Sequence, residues 1–196
     1  MPAIDSFAFD LRISLQYLAP EIWRLVRVPH DIRMDRFHLV IQAAFGWTNS
    51  HMHQFHIVGA KGRTKCFVGT PDSGRPAFGR QPPMEDETKR HLKNFFAKSG
   101  NYMGYEYDFG DTWLHHISLV AVQTQAARLA PALCLDGARA CPPEDCGGPP
   151  GYEDLLAALA NPKHPEYEEM KDSYGDVDPA AFDLRAINRA LAKMKV

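Results

Sequence analysis

Phe7-Ala8-Phe9-Asp10-Leu11-Arg12-Ile13-Ser14-Leu15-Gln16-Tyr17 alternates large apolar residues with small or polar ones. A period of two belongs to a strand, because successive side chains leave opposite faces of the pleat. This stretch is therefore a strand with one buried face. Ala19-Pro20-Glu21 interrupts the pattern, and residues 22–28 read as a second strand, which makes an N-terminal hairpin. Beyond Pro29, Asp31 is placed to cap a helix with an apolar stripe of Met34, Phe37, Val40, Ile41, Ala44 and Phe45. Gly46 is placed to close that helix in a left-handed turn. His53, Phe55 and Ile57 then alternate with Gln54, His56 and Val58, giving a third strand. The ββαβ order is compatible with a β-grasp-like sheet.

Residues 59–81 are rich in Gly, Arg, Pro and Asp and are expected to be mobile, with a short strand at Cys66, Phe67 and Val68. Residues 85–98 carry Leu92, Phe95 and Phe96 on one side and predict a short helix. Residues 102–109 and 113–122 form a second hairpin around Gly110-Asp111. Three helical pieces close the chain at residues 152–160, 165–171 and 179–195. Asp178 caps the last, Pro179 takes its first position, and Leu184, Ile187, Leu191 and Met194 form its apolar face. Strands around one helix, then more strands, then helices is the order of an α+β domain. With no internal repeat, residues 1–196 are expected to form a single domain.

At 196 residues the chain is long enough for one substantial core. Its 22 Lys+Arg nearly cancel its 24 Asp+Glu, so a broad electrostatic footprint for nucleic acid is absent. Lys89, Arg90 and Lys93, with Arg63, Lys65, Arg75 and Arg80, give the middle region a local positive excess, which reads as a solvated surface. No apolar run reaches the ~20 residues of a membrane helix. The first ten residues hold Asp5 and Asp10 and no basic segment, unlike a signal peptide. A cytoplasmic setting with reduced thiols is expected for Cys66, Cys134, Cys141 and Cys146.

The chemistry is concentrated in three stretches. Cys141-Pro142-Pro143-Glu144-Asp145-Cys146-Gly147-Gly148-Pro149-Pro150-Gly151-Tyr152 combines stiff prolines, permissive glycines, two acids and two thiols. Adjacent residues of an extended loop point in opposite directions, so only one of Glu144 and Asp145 is expected to face a given cleft. In the second hairpin, period-two alternation puts Trp113 and His115 on the buried face and His116 on the exposed one. Asp108 and Asp111 flank its turn, where they cap backbone amides or orient a histidine. His51, His53 and His56 form a third cluster. Together His51, His53, Tyr107, Asp108, Asp111, Trp113, His115, Glu144 and Asp145 make up a candidate groove. The spacing Cys134-x6-Cys141-x4-Cys146 suits a zinc tetrahedron poorly, and a fourth ligand must come from elsewhere, with His115 and His164 as candidates. No stoichiometric metal and no other cofactor are expected. If zinc is present, its ligands are Cys134, Cys141, Cys146 and His115.

Four segments resemble one family: Ile22-Trp23-Arg24 at the end of the opening hairpin, Gly46-Trp47 through His51-Met52-His53-Gln54-Phe55, Tyr105 through His115, and the Cys-Pro-Pro-Glu-Asp-Cys-Gly-Gly loop. They resemble the plasmid pRiA4b ORF-3-like family, some of whose members are labelled transposon-associated. The likeness spans nearly the whole chain and is weakest over residues 59–100, which reads there as an inserted segment. It implies an uncharacterised binding or accessory module linked to mobile elements. The residues themselves leave two alternatives open. One is a metal-assisted, hydrolase-like enzyme using His115, Asp108, Asp111 and Glu144; the other is a DNA-contacting accessory protein. A protein partner is compatible with each of these readings.

Overall fold

The computed structural model describes residues 6–59, 62–71, 82–96, 101–125 and 132–194. Its eight strands are β1 (Ser6–Leu15), β2 (Trp23–Pro29), β3 (His53–Val58), β4 (Thr64–Gly69), β5 (Met84–Asp86), β6 (Tyr102–Tyr107), β7 (Trp113–Gln125) and β8 (Leu133–Ala138). They form one sheet in the order β5-β4-β3-β6-β7-β1-β2-β8. Every neighbouring pair is antiparallel except β4 and β5. The ββαβ start is kept, with antiparallel neighbours on both sides of β1. The helices are α1 (Met34–Phe45), α2 (Gly148–Leu159), α3 (Tyr167–Tyr174) and α4 (Leu184–Ala192). This is an α+β domain.

The alternation in β1 holds where it matters. Phe9, Leu11, Ile13 and Leu15 are buried in the core, while Phe7 and Tyr17, at the two ends, are exposed. In α1, Phe37 and Ile41 are fully buried and Phe45 nearly so. Gly46 closes the helix at φ 89°, and its N–H returns to the Gln42 carbonyl. Asp31 is not the cap. Arg33 occupies that position without a side-chain cap, since a guanidinium has no acceptor for the helix N–H groups, and the Met34 N–H goes to the Arg90 carbonyl.

That pairing also corrects the helix expected at residues 85–98. Arg33 and His91 form a bridge, and Leu92 N–H donates to the Ile32 carbonyl. The segment is instead β5 followed by two 3-10 turns, Glu87–Lys89 and Leu92–Asn94. Asp86 caps the first turn through Thr88 N–H. β4 and β5 extend the sheet, and Leu92 and Phe96 enter the core. The described parts of the segment expected to be mobile or inserted are thus built into the fold. Residues 60–61, 72–81 and 97–100 lie outside the described residues.

β8 adds a strand at the edge of the sheet beside β2, where the sequence shows no clear alternation. The last helix starts later than its sequence suggests, at Leu184, with Asp183 rather than Asp178 accepting from its first turn through Ala186 N–H. Asp178 instead closes a local turn onto Ala180 N–H. α2 starts earlier than expected, inside the proline-glycine loop.

Arg24 ties these parts together beneath the helices. It is 3% exposed and among the described residues meets no carboxylate; its guanidinium donates to the carbonyls of Ala44, Trp23, Ala138 and Arg139 at 2.8–3.0 Å. Phe45 and Phe182 each lie 5.1 Å from it. Backbone dipoles and ring faces together replace the water that burial removes.

Candidate functional site

Register assembles the site. β3 and β6 run antiparallel with His53 opposite Tyr107, so the residues just before β3 and just after β6 meet at one end of the sheet. Asp108 N–H donates to the Met52 carbonyl at 2.9 Å there. The turn from β6 to β7 and the loop from α1 to β3 are therefore side by side, and the 141–147 loop closes over both.

Glu144 is the clasp. One carboxylate oxygen accepts from the Thr48 N–H at 3.1 Å and from the Thr48 hydroxyl, and the other accepts from the Tyr107 hydroxyl. Tyr107 in turn accepts from the N–H groups of Ser50 and His51. Burial pushes the Glu144 carboxyl pKa up, but these hydrogen bonds outweigh it and the net shift is downward. Burial, with the bond to Glu144, pushes the Tyr107 phenol well up. Trp47 Nε1 donates to the Pro142 carbonyl at 3.1 Å, and Gly147 N–H donates to Asp111 Oδ2 at 3.1 Å. Gly148 has φ +70°, and a Cβ there would overlap the Asp111 carbonyl oxygen. Only glycine fits. The loop thus packs on the second hairpin.

Beside this clasp, His51, Asp108 and Asp145 converge. Each offers one ligand atom, and the three atoms lie within 4.8 Å of one another. His51 Nε2 is 3.6 Å from Asp108 Oδ2 and 3.1 Å from Asp145 Oδ1. Despite those distances Nε2 makes no hydrogen bond and is shut off from solvent. The oxygens are near enough for an ion pair but lie off the direction in which an imidazole N–H donates. Asp108 is held by its other oxygen, which accepts from Gly110 and Asp111 N–H groups. Asp108 and Asp145 both sit in the left-handed region, at φ 58° and 59°. Aspartate enters this region more readily than most residues, and Asp108 does so while its carboxylate caps the turn. Among the described residues, no Lys or Arg forms an ion pair with Asp108, Asp111, Glu144 or Asp145.

A cleft of about 390 Å³ opens beside this cluster, and His51 is part of its wall. His38 and His53 stack face to face there, with ring centroids 3.4 Å apart. His53 Nε2 pairs with Glu87 at 2.8 Å, and the other Glu87 oxygen accepts from Thr70. His38 closes a ring of hydrogen bonds: Nε2 lies 2.6 Å from Asn49 Oδ1, Asn49 N–H donates to Gln42, Gln42 donates to the Tyr105 hydroxyl, and Tyr105 lies 2.8 Å from His38 Nδ1. This order fixes His38 as the neutral Nε2–H tautomer. Burial, with the His53 charge, lowers its pKa to about 4. The ring anchors the loop that carries His51.

Of the candidate groove, His51, Tyr107, Asp108, Glu144 and Asp145 come together. His53 belongs to the adjoining cleft, and Asp111 braces the loop. Trp113 and His115 lie one layer down. His115 is 2% exposed, is edge-on to Phe45 and Trp47, and burial lowers its pKa to about 3. His116 falls on the opposite face, but it is half-buried rather than exposed because it stacks on Tyr102. Glu144 and Asp145 reach the same loop, contrary to the extended-loop expectation, because Asp145 turns the chain. His56 pairs with Glu106 on the far face of the sheet. His38, Gln42, Asn49 and Glu87 escaped the sequence reading. Their signal was a polar pair four apart in α1, His38 and Gln42, on the edge of its apolar stripe.

Cys134, Cys141, Cys146 and His115 are not drawn together into a ligand set. Among the described residues, the one group that converges closely enough is His51, Asp108 and Asp145. Burial pushes the Cys134 and Cys146 thiols up to about 11 and 12. His164 instead accepts from Glu166 N–H. In the basic segment, Lys89 and Arg90 pair with Asp86 and Glu85, while Arg75 and Arg80 lie outside the described residues.

No helix among the described residues is long and apolar enough to cross a membrane. The chain is similar to the uncharacterised protein y4hQ of Sinorhizobium fredii (strain NBRC 101917 / NGR234), with 36% identity over 186 residues, 92% of this chain and 89% of that protein. Its fold is similar to the crystal structure of the protein of unknown function MM3350 from Methanosarcina mazei Go1, with a TM-score of 0.79 and 30% identity over 92% of this chain and 97% of that one. The family described as plasmid pRiA4b ORF-3-like protein matches residues 7–187, and the chain belongs to that family.

Proposed function

We propose that the chain is a non-catalytic binding or accessory module whose ligand site is built around a divalent cation held by His51, Asp108 and Asp145. The observation that carries this reading is the His51 Nε2 atom, buried without a hydrogen bond between two carboxylate oxygens at 3.1 and 3.6 Å. Two N or O ligands each about 2.1 Å from a tetrahedral ion lie about 3.4 Å apart. The observed separations fall on either side of that value. A divalent cation would also offset the mutual repulsion of Asp108 and Asp145, with which, among the described residues, no Lys or Arg forms an ion pair. One imidazole with two carboxylates suits zinc or manganese better than calcium or magnesium, which take oxygen ligands. The purified chain, incubated with zinc or manganese and dialysed, should retain about one equivalent by elemental analysis, and Asp145→Asn should not. Retention by neither protein would remove the cation from the account.

A metal-assisted enzyme is the second reading, favoured by the shared position of His51, which belongs both to the cluster and to the wall of the cleft. A molecule in that cleft would lie beside the cation. Zinc-dependent turnover of p-nitrophenyl esters or phosphates, lost in Asp108→Asn, would move this reading to first place. A role with mobile elements rests on the family's name, and salt-dependent DNA binding would test it.

A further inference from the structure

A second cleft, of about 360 Å³, lies at the Asp111 turn, and His51, Asp108 and Asp145 are not among its walls. Its walls are Tyr17, Asp111, Thr112, Pro149, Pro150 and Glu153. Tyr17 is 75% exposed, a large ring presented to solvent at the end of β1. Both Tyr17 and Thr112 hold left-handed backbone, at φ 66° and 57°. For an aromatic and a β-branched residue this is costly. Pro149 and Pro150 occupy the first turn of α2, so two of the N–H groups that would make a helix start attractive to an anion are missing. What remains is an apolar floor with two carboxylates and, among the described residues, no basic one. Asp111 is oriented by its bond from Gly147 N–H, and among the described residues neither Asp111 nor Glu153 forms an ion pair.

We propose that this cleft is a docking site for an arginine side chain on an exposed segment of a protein partner. A tyrosine face attracts a cation, and a planar guanidinium can lie on the ring while its fork reaches carboxylates. The two prolines give the aliphatic stem a rigid apolar wall. The site is open at the side, which leaves room for the flanking residues of a segment. The surface is independent of the cation reading, since neither Tyr17 nor Glu153 belongs to that cluster.

The test is an NMR titration of the labelled full chain with the peptide acetyl-Gly-Arg-Gly-amide and with the same peptide carrying uncharged citrulline. The arginine peptide should shift signals of Tyr17, Thr112 and Glu153 and bind at least about tenfold more tightly than the citrulline peptide. Tyr17→Ala and Glu153→Gln should each weaken it about fivefold or more, and added salt should weaken it further. Both residues are exposed, so the variants should keep the wild-type spectrum elsewhere. Equal binding of the two peptides, or shifts confined to other surfaces, would overturn the proposal. A lysine peptide binding as tightly would overturn the guanidinium assignment. Arginine amide binding as tightly as the peptide would overturn the choice of a protein segment.

Discussion

The Tyr107 hydroxyl donates its proton to Glu144 and accepts the backbone N–H groups of Ser50 and His51, so one oxygen couples the 141–147 loop to the loop that carries His51. Removing it leaves three partners without their bond. Tyr107→Phe should cost about 1–3 kcal/mol in denaturant unfolding. It should also weaken cation binding, because His51 loses its backbone anchor. Unchanged stability would show that the clasp contributes little.

Gly148→Ala tests the fit of loop on turn. The new methyl group would meet the Asp111 carbonyl and sit at φ +70°. Thermal melts should show a loss of about 2 kcal/mol or more. Gly46→Ala, where the same backbone strain meets open space, should cost less.

Arg24→Lys should destabilise by about 2 kcal/mol or more although the charge is kept, because an ammonium cannot reach four carbonyls at once. Chemical denaturation of the two proteins side by side measures this. An equal midpoint would mean that the carbonyls are satisfied without the fork.

His38 and His115 make stability depend on pH. Burial holds their folded-state pKa values near 4 and 3, against 6.5 for an unfolded histidine. Below pH 6.5 the unfolded chain takes up protons that the folded chain refuses, so stability is full above that pH and falls as pH drops toward 4. Each histidine can contribute at most about 1.4 kcal/mol per pH unit in that window. His115→Gln should flatten the slope of stability against pH by about half. A wild-type slope of zero between pH 6.5 and 4 would contradict the buried neutral state.

Much of the scaffold was legible because it follows from periodicity. The β1 alternation, the α1 stripe and Gly46 each express a local rule. What was not legible depends on contacts distant in sequence. Residues 85–98 are apolar on one side and read as helix, but backbone pairing with residues 32–34 outcompetes it. β8 contains Gly137, a weak strand residue, yet a Cβ there would come within 2.6 Å of Phe182. Motif reading picked out His51, Asp108, Glu144 and Asp145 but could not say which of them meet. That depends on the β3–β6 register and on the left-handed backbone of Asp145, and neither has a sequence signature.

The most direct test of the central claim is calorimetric titration of zinc into wild-type protein, His51→Ala and Asp145→Asn at neutral pH. Asp145 is 73% exposed at its side chain, so that variant should fold normally. Wild type should bind one zinc ion per chain, and each variant should bind at least about tenfold more weakly, a loss of about 1.4 kcal/mol or more. Equal zinc binding by all three proteins, or none by wild type, would contradict the account.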